Sequence, residues 1–310
     1  MVLFIEYMSN DVILVTVSDD RSGRKGGLYG ITQRKVRKIF ENNDKFGISR
    51  LCFWNWNDIS GSEFYRSNKR LLDNVDPALN GRCYKPYVIQ QALAGVSDGD
   101  FVIYNDISPE WWEVGEDFVI GDGYQLDIIK NLCVTNGDIL SCRVSWMAPN
   151  GVFFDHIHDN FTSERCMRVM KMESYRHCLQ HASGMMVFRK SVRSVEYVNE
   201  WLKWNLVDEC GGLKNTETGE DFWGEEVNVH GKIGHRHDQS ISGLLVNRMG
   251  GRLLNVADWW SPSPTKTYNF LSFCKTDERY NFVDSVVGVS SVYYRNVYSG
   301  GVWKILQLKR

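Results

Sequence analysis

The residue types best suited to chemistry fall in two clusters far apart in the chain. The first is Gly99-Asp100-Phe101-Val102-Ile103-Tyr104-Asn105-Asp106, a short apolar run that ends in a carboxylate. Just upstream, Arg82-Cys83-Tyr84-Lys85-Pro86-Tyr87 supplies two cations and opens an apolar-periodic segment that runs to Leu93. In an open α/β sheet, ligands bind beyond the carboxyl ends of the strands. Asp106 is therefore expected at the mouth of a crevice, with Arg82 and Lys85 within reach of an anion held there. A carboxylate and cations at one rim suit a metal-bound diphosphate. Each signal also has an ordinary structural meaning. Asn105-Asp106-Ile107-Ser108-Pro109 is good turn chemistry, and Lys85 before Pro86 reads as a helix start.

The second cluster is Gly234-His235-Arg236-His237-Asp238-Gln239-Ser240, followed by Ile241, Leu244 and Leu245 at helical spacing. Asp238 or Ser240 is placed to cap that helix. Capping accounts for one acceptor and leaves two imidazoles and an arginine unexplained. His235 and His237 alternate, so on an extended segment they share one side and suit the wall of a site. A zinc centre is disfavoured, because His-x-His gives two ligands and no cysteine pair or spaced histidine completes the set.

The elements that must carry these residues follow from hydrophobic periodicity. Asp11 to Val17 (DVILVTV) reads as a buried strand, and a polar, glycine-rich loop runs from Arg21 to Gly30. Ile31, Val36, Ile39 and Phe40 space out as one helix face, and Arg50 to Trp54 as a second strand. Glu63 to Leu72 and Tyr84 to Ala94 look helical, and Phe101 to Tyr104 is a third strand. Asp122 to Asn136 fits an amphipathic helix and Asp138 to Arg143 a fourth strand. Strands alternating with helices imply βαβ units and a mainly parallel sheet. After Gly151 the pattern is less regular. Met185 to Arg189 reads as a strand, Val192 to Leu206 and His237 to Met249 as helices, and Gly211 to Gly224 as a polar loop. Val287 to Leu306 is β-rich, with Ser299-Gly300-Gly301 as a turn.

Composition narrows the function classes. The formal charge of −2 argues against a general nucleic-acid binder, which needs an excess of Lys and Arg. No apolar run approaches the roughly 20 residues of a membrane span. Met1 to Asn10 has neither a basic start nor a long apolar core, so no signal peptide is expected. The eight cysteines form no CxxC pair and are expected as reduced core thiols of a cytoplasmic protein. Eleven Trp are core residues by default. Trp111 and Trp112, just after Asp106, are the pair best placed to pack on the apolar face of a sugar.

Taken in order, these segments resemble the nucleotide-sugar half of a GT-A glycosyltransferase. A strand ending Val15-Thr16-Val17-Ser18, the Arg82 to Tyr87 segment and the Asp98 to Asp106 strand carry the likeness. Ser183-Gly184-Met185-Met186-Val187-Phe188-Arg189-Lys190, Glu200-Trp201-Leu202 and His235 to Ser240 continue it. The pattern is similar to glycosyltransferases of bacterial polysaccharide clusters and of large DNA viruses, notably those of algae, and spans roughly residues 11–250.

The resemblance implies one α/β domain over residues 1–310. Its Rossmann-like, mainly parallel sheet has helices on both faces, with a nucleotide-sugar half to about residue 145 and a less regular acceptor half after it. It implies that Thr16, Val17 and Ser18 hold the nucleoside, and that Arg82 and Lys85 approach the diphosphate or ribose. Tyr104, Asn105 and Asp106 would bind the nucleotide-sugar, with Asp106 in the place of the metal-binding aspartate. Asp238, Gln239 and His237 would lie by the anomeric carbon and acceptor, and Ser183 and Gly184 would edge the acceptor groove. Two spaced carboxylates are usual at the metal site; here Ile107 and Ser108 follow Asp106, so Asn105 or a water would fill in, and the later histidine ligand of many relatives is His235 or His237 or is absent. Mn²⁺ or Mg²⁺ is the implied ion. The implied partners are a UDP-sugar donor, such as UDP-xylose, UDP-glucose or UDP-galactose, and a glycan or glycoprotein acceptor. An inverting reaction needs a general base, for which Asp238 is the first candidate and Asp155 the second. Two alternatives are a non-catalytic nucleotide- or sugar-binding module and a metal-dependent hydrolase built on His235 and His237. The lack of GxGxxG after the first strand, and of any GxxxxGK[ST], counts against dinucleotide and P-loop folds.

Overall fold

The computed structural model describes residues 10–19, 21, 28–41, 47–74, 83–107, 126, 130–131, 133–143, 145–147, 153–155, 157–211, 235–250, 292–299 and 302–309. Strand β1 (Val12–Ser18) is followed by helix α1 (Leu28–Glu41) and strand β2 (Arg50–Asn55). Three short helices come next, α2 (Trp56–Ser60), α3 (Glu63–Ser67) and α4 (Lys69–Asn74). Helix α5 (Lys85–Ala94) precedes β3 (Phe101–Asn105). Then come β4 (Ile139–Arg143), β5 (Ser145–Met147), β6 (Phe153–Asp155), and helices α6 (His158–Phe161) and α7 (Glu164–Val169). Strand β7 (His181–Arg189) is followed by α8 (Val192–Asn205), α9 (Asp208–Gly211) and α10 (Asp238–Arg248). The hairpin β8 (Val292–Ser299) and β9 (Val302–Lys309) is the last pair of elements.

Five strands form a mixed sheet in the order β2-β1-β3-β7-β4. β1, β2 and β3 are parallel, and β7 is antiparallel to both of its neighbours. β4 therefore points the same way as the first three, and the expected mainly parallel α/β sheet is present. All seven residues of β1 are buried, as in a strand covered on both faces. Side chains alternate between those faces. Ile13, Val15 and Val17 join Val102, Tyr104, Met186 and Phe188 in one cluster with the buried faces of α5, α8 and α10. Thr16 lies on the other side, bonded to Gln33 of α1.

Local rules explain the elements around the site. Helix α5 begins with Lys85-Pro86 and buries Val88, Ile89, Ala92 and Leu93 on one stripe, the spacing of a core-facing helix. Ser191 caps α8 through a capping box with Ser194, and Tyr197, Val198 and Trp201 are its buried stripe. Gly99 takes φ +94 in the turn into β3, a conformation that costs residues with a Cβ.

Some boundaries differ from expectation. The single helix expected over Glu63 to Leu72 is two, because Asn68 leaves helical geometry and its amide donates to the Phe64 carbonyl. Such a side-chain bond competes with the helix ladder. Of the expected 122–136 helix, residues 126, 130–131 and 133–135 are helical, Asn136 is already in a turn, and the rest lie outside the described residues. Beyond Gly211, the Gly211 to Gly224 loop lies outside the described residues. The β-rich carboxyl-terminal stretch is the β8–β9 hairpin. Cys52, Cys83, Cys133, Cys166, Cys178 and Cys210 are free thiols. Among the described residues no helix is long and apolar enough to cross a membrane.

Candidate functional site

The chain leaves β1 for β2 on one side, and β3 lies on the other. This is a topological switch point, where the carboxyl ends of two parallel strands part and leave a crevice. Ser18 and Asp19 finish one strand there, and Asn105 and Asp106 the other. Helix α5 precedes β3 and packs against it, so its first residue, Lys85, comes to the same end of the sheet. β7 runs the opposite way, so its early residues reach that end too, and the Asp106 amide donates to the Gly184 carbonyl at 2.7 Å. Helix α10 contributes its first residue, Asp238.

These elements bring together four groups spread over more than 150 residues of sequence. The Lys85 ammonium lies 2.8 Å from Asp238 and 3.2 Å from Asp106. Lys85 also reaches the Ser183 hydroxyl at 3.3 Å, and that hydroxyl donates to Asp238 at 2.6 Å. The Tyr104 hydroxyl donates to Asp106 at 2.7 Å; burial, then the Asp106 charge, raises its pKa well above the usual phenol value. Lys85 is 3% exposed and Asp238 0%, whereas Asp106 is 26% exposed. One carboxylate therefore faces the crevice, and its partners hold it from behind. The start of α10 favours a negative charge at Asp238, and Trp201 donates its indole N–H to the Asp238 carbonyl.

Asp106, Lys85, Ser183 and Asp238 thus converge, but in roles that differ from those expected. Lys85 is turned inward as a counter-ion instead of outward to a diphosphate. Asp238 is a buried partner of that lysine and lacks the solvent contact a general base needs. Ser183 and Gly184 are bonded inside the cluster instead of edging a groove. Thr16 and Ser18 are buried, with both hydroxyls bonded to Gln33, so they offer a ligand little but backbone. Gln239 is partly exposed and donates to Gln180. Asp155 closes β6, paired with Ser145 of β5. Arg82 and Trp111 lie outside the described residues.

The two histidines are structural where site walls were expected. His235 Nδ1 accepts the Ser163 amide N–H, and Nε2 lies 2.8 Å from the Cys210 carbonyl. His237 Nδ1 lies 2.9 Å from the Gly211 carbonyl. Between them they satisfy carbonyls at the end of α9, groups that a helix leaves open. With both nitrogens engaged, His235 has no lone pair for a metal. Burial lowers its pKa to about 3. His237 adopts φ 49, ψ −120, and the Gln239 amide bonds back to the Arg236 carbonyl. This is a tight turn of the kind that prefers glycine at its second position, and it aims Asp238 into the cluster.

Sequence inspection missed Gln33 and Gln180. Gln33 shares a face with Val36 and Phe40 of α1, and a polar residue at core-facing spacing was the available signal. Gln180 bridges the Phe161 carbonyl, Thr162 and Ser240, seating the α10 turn; it had no local signal. Among the described residues no group of three or more His, Cys, Asp or Glu is placed to cage a metal. Asp106 fits an ion shared with a ligand's phosphates, since Mg²⁺ often takes one or two carboxylates and completes its shell with phosphate and water. No protein-family model and no curated protein sequence matches the chain.

Proposed function

We propose that the chain is a glycosyltransferase of GT-A type, which moves a sugar from a nucleoside-diphosphate donor to a hydroxyl of a glycan. The observation that carries this is Asp106, a partly exposed carboxylate at the switch-point end of β3, fixed by Tyr104 and by Lys85, which Asp238 anchors in turn. Ligands of open α/β sheets bind at such a point. The resemblance of segments 82–87, 98–106, 183–190 and 235–240 to nucleotide-sugar enzymes supplies the substrate class.

In the reaction, the acceptor oxygen bonds to the anomeric carbon as that carbon's bond to the diphosphate oxygen breaks. The electron pair leaves with the nucleoside diphosphate, and the acceptor proton passes to a carboxylate or to a phosphate oxygen of the leaving group. A divalent ion at Asp106 would supply charge neutralisation for the diphosphate. Tyr104 and Lys85 keep the Asp106 carboxylate oriented, so it pays no reorganisation as charge develops. Asp238 serves as the fixed counter-charge that keeps Lys85 in place. Gln239, at the partly exposed edge of the turn, is the side chain there best placed to meet a sugar hydroxyl.

The test is a panel of UDP-sugars with and without Mn²⁺, read by thermal shift and by release of UDP. A donor that binds the folded chain raises its melting temperature. Asp106→Asn should abolish the Mn²⁺-dependent part of that rise and cut UDP release by ~10²-fold or more. No shift and no release across the panel would overturn the assignment. A hydrolase centred on His235 and His237 has no support, because both rings are committed to backbone groups.

A further inference from the structure

We propose that the outward face of α1 docks the chain onto an anionic phospholipid surface. Helix α1 covers the face of the sheet opposite α5, α8 and α10, and its inward residues Thr32, Gln33, Val36 and Phe40 are buried. Its outward residues include Arg34, Lys35, Arg37 and Lys38, all exposed, against one carboxylate, Glu41. The chain as a whole sums to −2, so these cations are gathered rather than abundant. Helix α8, also 14 residues long, balances Arg193 and Lys203 with Glu196 and Glu200.

The fold does not ask for this face. Arg34 and Lys38 stand four residues apart, and Lys35 and Lys38 three, spacings at which like charges repel on a helix. Arg37 meets Glu41 at 3.5 Å and lies 5.0 Å from the Phe53 ring, but an exposed ion pair contributes little to stability. A surface of interspersed signs would suit the folded chain better.

Apolar side chains accompany the cations. Among the described residues three large apolar side chains are exposed, Ile31, Val134 and Val192. Two of them belong to the helical layer on this face of the sheet. Ile31 lies on α1, and at about 100° per residue its position falls between those of Lys35 and Lys38. Val134 belongs to the helical residues 133–135. That segment is on the same side, because its Lys130 lies 5.7 Å over the Phe101 ring, and Phe101 alternates with Val102 across the sheet. Anionic headgroups would take the charge, and the bilayer interface the apolar tips. A phosphodiester backbone has no apolar layer for Ile31 and Val134. The first turns of α1 are level with the strand ends of the candidate site, since Gln33 bonds Thr16, Ser18 and the Trp54 carbonyl. Docking through this face would hold the crevice close to the lipid surface, whatever donor it takes.

The experiment is co-sedimentation of the full chain with phosphatidylcholine vesicles, with and without about one-third phosphatidylglycerol. Binding is expected with the anionic vesicles alone. It should fall as salt rises from about 0.1 M to about 1 M, which shortens the screening length from about 10 to about 3 Å. Each Lys or Arg at an anionic surface adds about fivefold to partition. Arg34→Gln with Lys35→Gln should therefore weaken binding by ~20-fold, and adding Arg37→Gln and Lys38→Gln by ~10²-fold or more in all. Ile31→Ser should weaken it several-fold and keep the salt dependence. The double variant leaves the Arg37 contacts in place and should melt at or above wild type, since it relieves like-charge crowding. A melting point well below wild type would mean that the fold uses these cations, and would overturn the proposal. So would a wild-type chain that ignores anionic vesicles, or a double variant that sediments as wild type does. Tighter binding to duplex DNA or RNA than to the vesicles, unchanged by Ile31→Ser, would overturn it in favour of a polynucleotide. None of these outcomes bears on the glycosyltransferase assignment, which the UDP-sugar panel tests.

Discussion

Lys85 shows why burial decides the role of a charge. As a cation close to Arg82 and upstream of Asp106 it reads as a phosphate ligand, but its ammonium is 3% exposed and lies between Asp106 and Asp238. The three groups sum to one negative charge, most of it directed outward through Asp106. Removing one member of a buried pair leaves the other desolvated without compensation, at a cost of about 3–5 kcal/mol. Lys85→Met should therefore lower stability by that order in urea unfolding. Adding Asp238→Asn to Lys85→Met should restore part of the loss, because the stranded carboxylate is gone. A double-mutant cycle would then show coupling of ~2 kcal/mol or more, and additive losses would mean that the pair is not energetically joined. Asp238→Asn alone also separates two roles. A counter-ion lost there lowers melting temperature and turnover together, whereas a general base lost there lowers turnover by ~10²-fold with the melting temperature unchanged.

Helix α10 carries Asp238 to that pair, and its own fit depends on a glycine. A Cβ on Gly243 would lie 2.8 Å from His158 Cε1 and 3.4 Å from His181 Cδ2. Those rings are held in place, His158 against Thr162 and Asn247, and His181 between Ser141 and Ser242. Alanine gains about 1 kcal/mol of helix propensity over glycine, but overpacking a fixed core costs typically 1–3 kcal/mol. The clash should win, so Gly243→Ala should melt below wild type; a higher melting point would show that the rings yield. Elements of this kind were readable in the sequence where periodicity was strong. DVILVTV, the stripe from Val88 to Leu93 and the stripe through Tyr197 and Trp201 each predict the element observed. The register between α10, β7 and α5 was not readable, because it depends on tertiary bonds such as Gln180 to Ser240 and Trp201 to the Asp238 carbonyl. That Lys85 and Asp106 meet was legible from residue type and order; that Asp238 joins them followed only from the family resemblance. The inward turn of Lys85 was not legible, since it follows from which side of a helix start a residue faces.

Across the whole molecule, the α10 interface is built on neutral imidazoles, which makes stability a function of pH. Burial first of all lowers His158 to about 4, His181 to about 3 and His235 to about 3, against 6.5 when free. For His181 the neighbouring His158 lowers it further, while a backbone bond at Ser242 and then the Asp238 charge work the other way. The folded chain thus keeps these rings uncharged at pH values where the unfolded chain protonates them. Below about 6.5 the unfolded state binds more protons, so stability rises with pH in that window. It is complete above 6.5, falls as the pH drops below it, and the full contribution is lost once the pH has passed the folded values. Each ring contributes a slope of up to about 1.4 kcal/mol per pH unit. Together they approach about 4 kcal/mol per unit, a large share of the 5–15 kcal/mol that holds a typical domain. The melting temperature should therefore be flat from pH 8 to 7, fall steeply between pH 6 and 5, and be lost near pH 5. Its slope should correspond to an uptake of about three protons on unfolding. Replacing His181 with Gln, which has no proton to gain, should reduce that uptake by about one and flatten the fall even if it lowers stability at pH 8. A melting temperature that stays level from pH 7.5 to 5.5 would mean that these rings are not neutral and buried in the working fold, and that the seat of Asp238 is looser than the hydrogen bonds around it require.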